Sequence, residues 1–189
     1  VPDVVHAEVR TGGSAPRETM QQVYDVAIVG GGPSGVMAAV AAARHGAFIA
    51  KNYKGKNIAI LHDKTTYGKG LADETKKALN KAGGKEKLFE AYTKGDKDFN
   101  ALVSKLKAAA IDVVYVGGYH QEAGLILRQM RAQGLKAQMI SGDAIATNEF
   151  WSITGPDGEG MMFTFGADPR KRATAKAVVD KFKAKNIDP

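Results

Sequence analysis

Residues 111–118, IDVVYVGG, form an unbroken apolar run closed by two glycines. A strand with no polar alternation has no face to give to water. It belongs in the interior of a parallel sheet that is covered on both sides. Further apolar runs stand at 24–30 (YDVAIVG), 57–63 (NIAILHD), 137–143 (AQMISGD) and 160–166 (GMMFTFG), each followed by a helix-period segment. A parallel strand cannot return through a tight hairpin; it needs a crossover, usually a helix. The alternation therefore dictates how the chain must be wound.

The implied fold class is α/β. We expect one doubly wound, mostly parallel sheet with helices on both faces, a Rossmann-like or flavodoxin-like three-layer sandwich. Two further strands are predicted, a half-exposed one at 4–10 and one at 87–92. A helix is predicted over 33–53, with Val36, Val40, Ala43, Ala47 and Ala50 on its inner stripe. The helix over 67–82 turns Leu71, Thr75, Ala78, Leu79 and Ala82 inward. Asp96 or Asp98 is placed to cap a helix whose core face is Phe99, Leu102, Val103 and Leu106. The helix over 121–133 ends at Gly134, a residue suited to the left-handed position after a helix. A short helix is predicted around 148–154, where Trp151 beside Phe150 packs. The last helix, over 170–185, points Ala173, Ala177, Val178 and Phe182 inward. No low-complexity linker divides the chain, so a single domain over 1–189 is expected.

Composition enters as a set of exclusions. There is no Cys, which removes disulfides, thiolate metal sites and thiol catalysis. His6, His45, His62 and His120 are scattered, and no metal site is expected. There is no G-x-S-x-G elbow and no catalytic constellation. No apolar run reaches about 18 residues and no leader pattern is visible, so a soluble chain with neither signal peptide nor membrane contact is expected. The net charge of +7 is uneven: residues 1–50 carry three Arg and four acids, residues 51–189 carry 24 Lys and Arg and 16 acids. The basic clusters at Lys76, Lys77, Lys81, Lys85 and Lys87, and at Arg170 to Arg172, lack interleaved aromatics. They read as solvated surface, with no nucleic-acid partner.

The sequence Gly30-Gly31-Gly32-Pro33-Ser34-Gly35 fits G-x-G-x-x-G after a strand and at the start of a helix. Such glycines permit a tight turn, close approach of a pyrophosphate to the backbone, and close helix–strand packing. Residues 24–47 resemble the FAD-binding start of flavoprotein oxidoreductases. That resemblance implies cofactor contacts at Gly30, Gly31, Gly32, Ser34 and Gly35. The acid that should follow about 20 residues on is missing, and the first candidate is Asp63. Two readings stay open: a dinucleotide site, and a βα turn kept for its geometry.

From Phe48 onward the chain resembles a different family. FIAKNYKGKNIAILHDKTTYGKGLADETKKAL, the stretch from FNALVSKL to MISGDA, and GEGMMFTFG are similar to leucine/isoleucine/valine-binding periplasmic proteins of bacterial ABC importers. The resemblance covers 48–189 and implies one lobe of a two-lobe receptor. It implies Tyr67 and Tyr119 as aromatic covers of the ligand and Asp143 as the acid that receives the ligand's ammonium. Asp143 and Tyr119 each fall just after a strand and Tyr67 lies early in a βα connection, the edge where open α/β sheets bind ligands. A carboxylate suits an ammonium, and a tyrosine face adds cation–π attraction. An Asp in this position also commonly caps the next helix. One lobe alone is expected to bind no better than millimolar, about −4 kcal/mol.

The two resemblances meet near residues 46–49, inside one predicted helix. The sequence is accordingly read as an engineered chimera, a fold-recombination scaffold without native activity. Its parts would be a flavoprotein-like segment (1–47) and a binding-protein lobe (48–189), expressed in recombinant form in the cytoplasm. It would require no cofactor and engage no permease. The alternative is a small-molecule binding module, taking FAD or another nucleotide at the glycine loop or a branched-chain amino acid at the half-site. A flavin- or nicotinamide-dependent enzyme is the third class. If the strand over 24–30 followed Rossmann order, it would lie between those at 57–63 and 111–117. In the binding-protein lobe those two would pair directly.

Overall fold

The computed structural model describes residues 33–164 and 173–186, with side chains over 40–164 and 174–186. In chain order the elements are α1 (Pro33–Asn52), β1 (Ile58–His62), α2 (Thr66–Lys81), β2 (Leu88–Ala91), α3 (Asn100–Ala108) and β3 (Val113–Gly117). Then come α4 (His120–Ala132), β4 (Gln138–Ser141), α5 (Asn148–Thr154), β5 (Met162–Phe163) and α6 (Lys176–Lys183). The five described strands are parallel and ordered β2-β1-β3-β4-β5. The α/β class and the mostly parallel sheet are as expected. The strands predicted over 4–10 and 24–30 lie outside the described residues, as do Gly30, Gly31 and Gly32.

β1 and β3 pair directly, with Ile58 opposite Val113 and His62 opposite Gly117. No strand lies between them, which excludes the Rossmann-type insertion. The register sorts side chains by parity. Ile58, Ile60, Val113, Tyr115 and Ile140 face α1 and α2, where Ala42, Ile49, Leu71, Ala72 and Leu79 meet them. Ala59, Leu61, Val114, Val116 and Met139 face the other layer, built by Val103, Leu106, Ile126, Leu127, Met130 and Phe150. Each large aliphatic side chain so buried stabilises the fold by about 1.5–3 kcal/mol relative to exposure. All five residues of β1 and of β3 are buried, which is why these segments read as continuous apolar runs.

Four details depart from the expectation. The buried residues of α1 are Ala42, Ala43, His45, Gly46 and Ile49, so Ala43 is inward as predicted while Ala47 is exposed. Gly46 sets this phase. A Cβ there would run into the Thr75 carbonyl oxygen and come within 2.6 Å of Leu79 N, so only glycine lets α1 lie this close to α2. Second, neither Asp96 nor Asp98 is the cap of α3. Phe99 takes that position, and Asp98 instead accepts from Asn100 N at 2.9 Å, one residue into the helix. Third, α6 begins at Lys176 and buries none of its side chains: Val178 and Phe182 are 55% and 42% exposed. The amphipathic pattern is present, but its apolar side is left open among the described residues. Ala82, predicted inward, is exposed at the end of α2.

Candidate ligand-binding site

Tyr67, Tyr119 and Asp143 converge at the carboxyl edge of the sheet. Tyr67 sits in the first turn of α2, Tyr119 directly precedes α4, and Asp143 opens a single 3-10 turn after β4. The Tyr67 hydroxyl donates to Asp143 Oδ1 at 3.2 Å. The rings of Tyr67 and Tyr119 lie 5.3 Å apart, tilted by 34°. Burial, and then the Asp143 carboxylate, raise the Tyr67 pKa above its ordinary value, so the phenol stays a donor. Asp143 is exposed and both tyrosines are half-buried, so the group forms an open wall.

Glycine contacts make this convergence possible. A Cβ on Gly68 would meet Asp63 Oδ1 and approach the Gly117 carbonyl oxygen to 2.5 Å, and one on Gly117 would strike the Gly68 carbonyl. The start of α2 therefore rests against the end of β3, which carries Tyr67 to Tyr119. The turn between β1 and α2 is fixed by its own hydrogen bonds. Thr65 caps α2 by accepting from Gly68 N at 3.0 Å. Asp63 Oδ1 accepts from Thr65 N at 3.0 Å and from Thr65 Oγ1 at 2.6 Å. Asp63 is only 2% exposed and lies beneath this turn, against Gly68 and Gly118. Lys64, between Asp63 and Thr65, adopts φ 64°, a left-handed conformation costly for a non-glycine residue.

Of the glycine-loop candidates, Ser34 and Gly35 fall in the first turn of α1, and their side chains lie outside the described set. Behind Tyr115, His45 forms a buried pair: its Nδ1 lies 3.2 Å from the Tyr115 hydroxyl. Burial lowers the His45 pKa to about 4, with Asp143 opposing. A separate groove of about 460 Å³ is lined by Arg44, His45, Phe48, Met161, Met162 and Phe163, and contains none of the three convergent residues. Trp151 is 42% exposed, edge-on to Phe150 at 5.1 Å. Among the described residues, no three His, Asp or Glu gather where they could hold a metal, and no helix is long and apolar enough to cross a membrane.

One site neighbour carries no signal in the sequence. Lys94 Nζ lies 4.6 Å from the centroid of the Tyr119 ring. A lysine in the loop KGDK looks like any other surface base of this chain; only the fold sets it over an aromatic face.

The sequence profile of the periplasmic binding protein family matches residues 25–189. A Leu/Ile/Val-binding protein homolog 2 of Brucella abortus is 57% identical over 144 residues, covering 76% of this chain and 39% of its own length. An amino acid binding protein of Pseudomonas aeruginosa is 50% identical over 146 residues, with 76% and 39% covered. The solved structure of a leucine binding protein from Thermotoga maritima superposes with TM-score 0.70 at 29% identity, over 78% of this chain and 43% of that one. A branched-chain amino acid transporter substrate binding protein from Streptococcus pneumoniae, solved with isoleucine, gives TM-score 0.65 at 26% identity, over 80% and 44%. The chain spans about two fifths of the length of these relatives.

These findings overturn the reading of the chain as an engineered chimera without native activity, and with it the expectation of recombinant cytoplasmic expression. One family profile runs through both supposed parts and across residues 46–49. The structure gives the physical counterpart. α1 is unbroken from Pro33 to Asn52, and its Ala42 and Ile49 pack in the same core cluster as Ile58, Ile60 and Tyr115. Nothing supports a flavoprotein fusion.

Proposed function

Since the chain belongs to the periplasmic binding protein family, we propose that it binds a branched-chain amino acid at the carboxyl edge of its sheet. In this reading Asp143 receives the ammonium, while Tyr67 and Tyr119 frame the ligand. The observation that carries it is the convergence of these three residues from three separate connections, with Tyr67 holding Asp143 Oδ1. The names of the relatives point to the same ligand class. The Tyr67 bond leaves lone pairs of the exposed carboxylate available to an ammonium.

The protein would act in the periplasm as the substrate-binding part of a transporter. The wall described here leaves one side of a ligand in water, so the 189-residue chain alone should bind leucine only in the millimolar range, about −4 kcal/mol. The test is a leucine titration followed by amide chemical shifts, with Asp143→Ala as control. Shifts clustered at 66–68, 118–120 and 142–144 that vanish in the variant are expected. Saturable binding that survives in Asp143→Ala, or no binding at all, would overturn the reading.

A further inference from the structure

The residues on either side of Lys94 are pinned, while its own side chain is exposed. Lys64 Nζ donates to Thr93 Oγ1 at 3.1 Å on one side of it. On the other side Gly95 N donates to Glu122 Oε1 at 2.8 Å, with Gly95 at φ 91°. The loop thus delivers Lys94 onto Tyr119 between two pinned residues. Lys94 also makes no ion pair among the described residues. Lys56, Lys69, Lys76 and Lys105 each have a carboxylate within 4.0 Å, whereas among the described residues Lys94 has none. Asp143 likewise has no cationic partner among them, its hydrogen bond coming from the neutral Tyr67 phenol. The site therefore carries an unpaired cation over one tyrosine of a stacked pair and an unpaired anion at the hydroxyl of the other.

We propose that Lys94 is a specificity-determining residue of this site, selecting zwitterionic ligands over ligands that carry only an ammonium. The inference rests on the amino-acid reading above and deepens it. A ligand with an ammonium alone gains from Asp143 but is opposed by Lys94. A zwitterion sets its carboxylate against the lysine field, so both charges are met. The exposed four-carbon stem lets the ammonium of Lys94 leave the Tyr119 face and turn toward the carboxylate.

The test compares leucine with leucinamide, which keeps the ammonium and replaces the carboxylate by a neutral amide. Both are titrated into the full chain and into Lys94→Met and Lys94→Arg at low salt. We expect the unsubstituted chain to prefer leucine about three- to tenfold, the range of a partly exposed charge contact. Lys94→Met should reduce that preference to near unity, partly by improving leucinamide, and Lys94→Arg should retain it. An unchanged preference in Lys94→Met, an equal loss for both ligands, or no preference in the unsubstituted chain would overturn the proposal. In those cases the amino-acid reading survives if Asp143→Ala still abolishes binding. If the unsubstituted chain binds neither ligand, both readings fall together.

Discussion

The hydroxyl of Tyr67 donates to Asp143 Oδ1 across 3.2 Å, joining the first turn of α2 to the turn after β4, two elements 76 residues apart in sequence. The bond fixes one carboxylate oxygen in a residue otherwise open to solvent. Tyr67→Phe keeps the ring stack on Tyr119 and removes only this donor. Leucine affinity is expected to fall about three- to tenfold, less than in Asp143→Ala, with a stability change of no more than about 1 kcal/mol. Titration and urea unfolding of the same sample separate the two effects.

His45 gives the fold a pH dependence. Its folded-state pKa, about 4, lies below the ordinary value of about 6.5. Between these values the unfolded chain binds the proton and the folded chain does not, so stability rises with pH across the interval. The contribution is complete above about pH 6.5 and is lost as pH falls through about 4, with a magnitude on the order of 3 kcal/mol. His45→Leu removes one partner of the Tyr115 hydroxyl, which keeps its side-chain hydrogen bond with Thr75, so stability at pH 7 should change by no more than about 1 kcal/mol. The variant should also lose this part of the pH dependence. Urea midpoints from pH 4 to 7.5 check it; parallel curves for the two proteins would count against the assignment.

Gly46 is expected to be intolerant of any side chain. Replacement by Ala gains about 1 kcal/mol of helix propensity. It also forces α1 away from the backbone of α2 at Thr75 and Leu79, and overpacking of this kind costs about 1–3 kcal/mol. Because backbone atoms are met first, we place the cost at the upper end, with a net loss of about 1–2 kcal/mol for Gly46→Ala and more for Gly46→Val. Thermal or urea unfolding reads it directly.

Phe150 and Trp151 are neighbours with different burial, 0% and 42% exposed. Phe150→Ala should cost about 3–5 kcal/mol, as expected for a fully buried aromatic. Trp151→Ala should cost less than half of that. Equal losses would mean that Trp151 is held by contacts beyond Phe150 and Phe163.

The outcome for individual residues shows what a sequence can carry. Tyr67, Tyr119 and Asp143 were each recognisable as following a strand, because a parallel sheet puts all such positions on one edge. Their mutual geometry was not, since it depends on the Gly68–Gly117 contact between elements far apart in the chain. The buried face of α1 was legible only in part: Ala43 and Ala50 pack inward as expected and Ala47 does not, because the run of small residues offers no dominant stripe and the choice falls to whichever face can approach α2. The chimera reading failed for a related reason. A short motif spans few residues, whereas one family profile runs continuously over residues 25–189.

Local patterning by itself determined the alternation of strand and helix, the parallel sense of the sheet and the end of α4 at Gly134, where φ is 75°. These follow from period, propensity and chirality, which act within a few residues. Tertiary structure alone decided the direct pairing of β1 with β3, the burial of His45 against Tyr115, and the placing of Lys94 over Tyr119. Each joins residues that nothing in their own neighbourhood distinguishes. Each depends on close packing, which only the assembled sheet and its two helical layers supply.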